Sequence, residues 1–406
     1  MIKEHFQLFQ TITPPNMDSL ARFPTRIFKY ALCFTSGLLL HSVVFHGLPG
    51  GNQATLPEST SEDIAVTGYA KENIEKHLLG RNRYEPCSIE QYFMDHMEDH
   101  GWNATTHSPM VCDVWKTPNA TTPEIFAQLQ AYKKDIEAHT EATKNFKGIP
   151  NLMKTIQNKT LSRQEICKTV KMHENGLLGL FPSQQLSLST SGYIDPLLPP
   201  MRDIYFCEDK QKVMSMDYLV HDFEAMCHLL KPHSKLILID MGASLDFHDT
   251  NQPIVNLLEL YEKFGFHFDH IYGFEISKED PDKVFDLLPE KYLPAYHWIN
   301  VGVSDKKGHK LNPLDSILRH FDEDDLIVVK LDIDTPHIEN KLAKQLLEDE
   351  DGIYSKLVDQ FYFEHHVRLG ELQPYWGTRH VDHSIADSFN LFQALRKKGI
   401  PAHFWP

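Results

Sequence analysis

Leu236-Ile-Leu-Ile-Asp-Met-Gly-Ala-Ser244 decides how this chain is read. A continuous apolar run that ends on an acid reads as a buried central strand of a parallel sheet. Gly242 just past it lets the backbone turn sharply and lets a ligand approach closely. Three further runs follow, each ending on an acid: Ile271-Tyr-Gly-Phe-Glu275, Trp298-Ile-Asn-Val-Gly-Val-Ser-Asp305, and Leu326-Ile-Val-Val-Lys-Leu-Asp-Ile-Asp334. A fifth, Gln360-Phe-Tyr-Phe-Glu-His-His366, ends on Glu364, His365 and His366. Helical patterns separate several of them. Strands alternating with helices predict a doubly wound, mostly parallel α/β sheet of Rossmann-like type, with its ligand at the carboxyl ends of the strands.

The ordered set Asp-Met-Gly-Ala-Ser, Gly-Phe-Glu, Asn-Val-Gly-Val-Ser-Asp, Val-Lys-Leu-Asp-Ile-Asp and Phe-Glu-His-His resembles an FkbM-type methyltransferase, over residues of about 235–406. That group belongs to the class I enzymes that use S-adenosyl-L-methionine. The chain departs from it in three places. The loop after the first strand has one glycine, Asp-Ile-Asp-Thr-Pro replaces a Asp-Val-Glu-Gly-type sequence, and Pro401-Ala-His-Phe-Trp-Pro406 stops short of a last strand.

The resemblance implies a role for each strand end. Asp240, Gly242 and Ser244 would border the donor, and Glu275 would accept hydrogen bonds from its ribose hydroxyls. Asp305 would lie near the adenine. Asp332 would face the donor tail or the acceptor, with Asp334 supporting the site. His365 or His366 would take the acceptor proton, and strand alternation lets only one of the two rings face the pocket. Lys330, inside an apolar strand, reads as a paired or snorkelling residue. Short His/Asp spacings such as Asp246, His248 and Asp249, or His380 and His383, are too common to imply a metal.

The amino-terminal part suggests a membrane anchor. Residues 28–48 are mainly apolar, and Tyr30–Leu48 carries no charge. About 19 residues at 1.5 Å each span ~28 Å, the thickness of a bilayer core. Arg22, Arg26 and Lys29 precede this segment, and no Lys or Arg follows until Lys71. The positive-inside rule then places a short tail, residues 1–27, in the cytosol and the rest across the membrane. Sequons at Asn103, Asn119 and Asn158 agree with a lumenal glycoprotein of the Golgi or endoplasmic reticulum. Residues 49–70 read as a stem, 71–200 as a mainly helical region without assigned role, and 201–406 as the methyltransferase-like domain. Six cysteines without Cys-x-x-Cys spacing argue against structural zinc. Five lie beyond the span, and their pairing stays open, Cys87–Cys112 being one option.

A net charge of −16 excludes the basic footprint of a nucleic-acid binder. The acceptor expected is a small molecule or a glycan, methylated on a hydroxyl. Two rivals remain. The topology and Asp332-Ile-Asp334 also suit a Golgi glycosyltransferase that holds a metal against a sugar nucleotide. The single glycine and the short carboxyl end also suit a membrane protein that keeps the methyltransferase fold without catalysis. The absence of Gly-x-Gly-x-x-Gly disfavours a nicotinamide enzyme.

Overall fold

A computed structural model describes residues 88–116, 118–170, 223–244, 253–376 and 383–405, with isolated positions at 86, 207, 208, 219 and 221. The expected tail, membrane segment and stem lie outside the described residues, as do Cys87 and the 245–250 loop. Among the described residues no helix is long and apolar enough to cross a membrane.

Six parallel strands form one sheet: β1 (Leu236–Met241), β2 (His270–Phe274), β3 (Tyr296–Ile299), β4 (Leu326–Leu331), β5 (Gln360–Phe363) and β6 (Ala402–Phe404). Their spatial order is 3-2-1-4-5-6. The chain starts at the centre, winds outward to β3, then returns to lay β4 beside β1. That return makes the β1/β4 boundary the topological switch point, where open α/β sheets leave a crevice for ligands. β1 and β4 are buried along their whole length, as central parallel strands covered on both faces must be.

Alternation within the strands divides the interior into two cores. Ile237, Ile239, Met241, Ile327, Val329 and Leu331 face one core; Leu236, Leu238, Leu326 and Val328 face the other. The amino-terminal helices contribute to both. From α1 (Ser88–Asp95) come Ile89 and Phe93, and from α2 (Pro123–Asn145) come Leu129 and Tyr132, all in the first core. α3 (Leu152–Gln157) and α4 (Arg163–Lys168) place Leu152, Ile156 and Ile166 in the second, with α5 (Phe223–Leu229). Residues 88–170 therefore pack as part of the same interior as the sheet. α6 (Pro253–Lys263) and α7 (Pro281–Leu287) cover the second face, while α8 (Pro336–Leu347) and α10 (Ile385–Lys397), on either side of the one-turn α9 (Gln373–Trp376), cover or flank the first.

Local signals explain several boundaries. Pro123, Pro281 and Pro336 open their helices at the first turn, where the missing N–H costs nothing. Ser384 and Asp387 form a reciprocal capping box on α10.

The structure corrects three expectations. β3 runs from Tyr296 to Ile299, earlier than the 298–305 run, so Asp305 belongs to a loop rather than a strand end. A sixth strand, Ala402–Phe404, extends the sheet where none was expected; a strand of three residues is too short to show a period. Cys112 pairs with Cys207, and Cys167 with Cys227, so the Cys87–Cys112 option is excluded. The partners are 95 and 60 residues apart, distances at which sequence spacing carries no information on pairing.

Candidate functional site

The site begins with two polar residues in otherwise apolar strands. Parallel pairing sets Asp240 of β1 opposite Lys330 of β4. The Lys330 ammonium lies 3.1 Å from Asp240, 2.9 Å from Asp332 and 3.2 Å from the Gly242 carbonyl. Burial alone would drive off its proton. The carboxylates of Asp240 and Asp332 outweigh that and hold the lysine above its ordinary range. Asp332 also accepts a hydrogen bond from the Trp405 indole at 3.1 Å, and that ring lies against the ammonium, 5.4 Å from its centroid.

Gly242 sits where the ends of β1 and β4 nearly touch. Its φ is +97°, and a Cβ there would lie 1.5 Å from the Asp332 carbonyl oxygen. Only glycine meets both demands. The Gly242 and Ala243 N–H groups both donate to the Phe274 carbonyl, at 3.0 and 2.9 Å. They tie the loop to β2 instead of pointing into the cleft.

A cleft of about 850 Å³ opens at this switch point. Asp240, Gly242 and Ser244 line its floor, and Glu275 lines the β2 side. Glu275 is the first residue after β2. Its Oε1 accepts the Ser277 N–H at 2.7 Å, and Asn300 braces the same turn by donating to the carbonyls of Glu275 and Ser277. Next to it an apolar ledge faces the opening: Ile276 is 75% exposed, and Leu287 and Val301 are also exposed.

The opposite wall comes from the ends of β4 and β5. Asp332 and Asp334 both line it, with Glu364. Asp334 is exposed and has a left-handed backbone, φ 54°. Glu364 accepts from the Trp376 indole at 2.6 Å and bonds the His366 ring at 2.9 Å. It also shares a hydrogen bond with Asp332. Burial and the adjacent Asp332 charge push the Glu364 carboxyl well above the usual range. Burial opposes a charge on His366. Its bond to Glu364 and the carboxylates of Glu364, Glu339 and Asp334 override that and push it up to about 9. The His366 ring stacks on Trp376 with centroids 4.8 Å apart. Glu339, fully buried on α8, accepts the Ile333 N–H at 2.7 Å and is pushed up to about 7 by its burial.

Of the residues expected from sequence, Asp240, Gly242, Ser244, Glu275, Asp332 and Asp334 converge on one cleft. The two histidines lie past the end of β5 rather than on it, so strand alternation does not govern them, yet they do separate. His366 reaches the cleft wall through Glu364. His365 turns into the first core against Phe363, Phe392 and His383, and burial beside two other histidines lowers it to about 3. It therefore does not meet the acceptor-proton role. Asp305 is also absent from the cleft lining; its carboxylate bonds Lys341 at 2.6 Å. The 246–249 cluster and His380 lie outside the described residues.

Sequence reasoning missed Glu364 as a site residue, although it directly follows β5, and missed Glu339, Trp376 and Trp405. Lys330 was legible as paired. A sharper signal was available in the alignment of two charged residues, one in each central strand. Comparison with family models, with curated proteins and with solved structures finds no match.

Proposed function

We propose that the protein is an S-adenosyl-L-methionine-dependent methyltransferase acting on a hydroxyl of a small molecule or glycan. The observation that carries this reading is the sign of the charge in the cleft. Its lining contains the carboxyl groups of Asp240, Glu275, Glu279, Asp286, Asp332, Asp334 and Glu364 against two lysines, Lys283 and Lys330. Lys330 is already held by Asp240 and Asp332. A nicotinamide dinucleotide or a sugar nucleotide brings a diphosphate that this surplus of negative charge repels. A sulfonium donor brings positive charge and no phosphate.

The rest of the donor fits the same surface. Glu275 offers acceptor oxygens at the end of β2 for a ribose diol. The exposed ledge of Ile276, Leu287 and Val301 beside it offers an apolar seat for a flat base. The loop amides of Gly242 and Ala243, spent on Phe274, are not open to a diphosphate.

Methyl transfer would proceed by in-line attack of the acceptor oxygen on the sulfonium methyl. The O–CH3 bond forms as the S–CH3 bond breaks, and the acceptor proton passes to a base. That base would come from the β4–β5 wall of the cleft, where Asp332, Asp334 and Glu364 stand. Holding donor and acceptor together would supply much of the acceleration.

Two further observations fit a lumenal setting. Cys112–Cys207 and Cys167–Cys227 are disulfides, which persist in oxidising compartments. Asn103, Asn119 and Asn158 are all exposed, as glycan acceptors must be. We place the enzyme as a type II membrane protein with this domain in the lumen.

The glycosyltransferase reading needs Asp332 and Asp334 to hold one metal together. Asp332 is instead committed to Lys330 and Trp405, which weighs against it. The test is titration of the full-length protein with S-adenosylhomocysteine, with UDP-sugar plus Mn²⁺ and NAD in parallel. Binding of S-adenosylhomocysteine alone is expected. Binding of either diphosphate ligand in its place would overturn the reading.

A further inference from the structure

The geometry points to a divalent cation site at the acceptor wall of the cleft, formed by Asp334, Glu364 and His366. One ligand atom from each lies within 4.8 Å of the other two. His366 Nε2 is 2.9 Å from Glu364 Oε2 and 3.9 Å from Asp334 Oδ1. Two ligands at right angles, each about 2.1 Å from a cation, are about 3.0 Å apart. The His366–Glu364 spacing already has that value, and the Asp334 carboxylate sits on an exposed turn that can close the remaining distance.

The surroundings orient these ligands. The Trp376 indole holds Glu364 Oε1 at 2.6 Å and stacks on the His366 ring, which leaves Glu364 Oε2 and His366 Nε2 turned toward each other. Such outer contacts are what fix the ligands of real metal sites. A second observation points the same way. Glu339 is 0% exposed, yet its Oε2 has no hydrogen-bond partner. The charges around it are those of His366, Asp332 and Asp334. A buried carboxylate oxygen left unpartnered beside this cluster is costly, and further positive charge among its neighbours would offset that cost. A cation held by Asp334, Glu364 and His366 supplies that charge.

The donor set selects the class of ion. One imidazole with two carboxylates mixes nitrogen and oxygen donors, which suits a first-row divalent transition ion better than Ca²⁺ or Mg²⁺; Mn²⁺ is used as its probe. Three protein ligands leave open positions facing the cleft, where a hydroxyl oxygen of the acceptor would complete the shell. The cation site stands on geometry whichever donor the cleft holds. It differs from an Asp332–Asp334 pair, since Asp332 remains with Lys330.

The test is calorimetric titration of the metal-stripped full-length protein with Mn²⁺ alone, on the wild type, Asp334→Asn, His366→Gln and Asp305→Asn. Asparagine tolerates the left-handed backbone at 334, so that variant should fold. We expect one Mn²⁺ per chain in the wild type and in Asp305→Asn, and at least tenfold weaker binding in Asp334→Asn and His366→Gln. An unchanged melting temperature in Asp334→Asn would separate lost ligation from lost folding. Failure of the wild type to bind Mn²⁺, or wild-type affinity in Asp334→Asn, would overturn the site. Titration with S-adenosylhomocysteine in EDTA runs alongside, so loss of the cation site alone leaves the donor reading standing.

Discussion

Replacing Lys330 with methionine keeps most of the side-chain volume and removes only the charge. At an effective dielectric near 20, two contacts of 2.9 and 3.1 Å represent about 5 kcal/mol of attraction each before the cost of burial. Burial of the three charges offsets much of that. Removing one partner alone leaves a buried Asp240 facing Asp332, which is 24% exposed at the cleft, and breaking a pair of this kind costs about 3–5 kcal/mol. The contact with the Trp405 ring is lost as well. Urea denaturation, read by fluorescence, should therefore show Lys330→Met destabilised by at least about 3 kcal/mol, a large share of a typical domain's stability. A combined Asp240→Asn, Lys330→Met, Asp332→Asn variant should recover most of the loss, because no unpaired charge remains. A loss below about 1 kcal/mol for Lys330→Met would show that the ammonium is not holding the two strand ends together, and would refute the reasoning.

Glu275→Ala should weaken S-adenosylhomocysteine at least about tenfold by calorimetry, while the fold holds, since only a hydrogen-bonding carboxylate at the rim is removed; unchanged affinity would make Glu275 a plain strand end. Gly242→Ala should lose more than about 4 kcal/mol or fail to accumulate, because the new methyl would overlap the Asp332 carbonyl at a disfavoured φ; a near-neutral effect would contradict the approach of β1 to β4. His365 gives an acid-sensitive term. Folded, it binds a proton only near pH 3; unfolded, near pH 6.5. Stability should thus fall as pH drops below 6.5, by about 2 kcal/mol at pH 5 from this residue, and His365→Phe should remove that slope in a pH series of urea midpoints. Cys167→Ser with Cys227→Ser should cost about 2–5 kcal/mol by releasing a 60-residue separation, read as a shift in urea midpoint that reductant reproduces in the wild type.

The parts of the fold carried by local pattern were legible. Leu236–Ile239 and Leu326–Val329 are unbroken apolar runs, and burial on both faces is what such runs require. The acids at their ends marked the rim of the cleft before any geometry was known. Elements that depend on partners were not legible. Asp305 ends an apolar run in sequence, but β3 stops at Ile299 because its pairing with β2 stops there. β6 is three residues long, and only its ladder with β5 makes it a strand. Alternation suggested that His365 and His366 would part, but both lie past the end of β5; contacts with the Trp376 ring and the Glu364 carboxyl set where His366 goes. Glu339 sits on a helix whose buried face is otherwise apolar, and nothing local marks it as part of a charged cluster.

The most direct test of the central claim is isothermal titration of the full-length protein with S-adenosylhomocysteine, wild type beside Glu275→Ala. Saturable binding at one site per chain, weakened at least about tenfold by the substitution, is the expected result. Absence of binding to the wild type, with saturable binding of NAD or of a UDP-sugar in the same cleft, would contradict it.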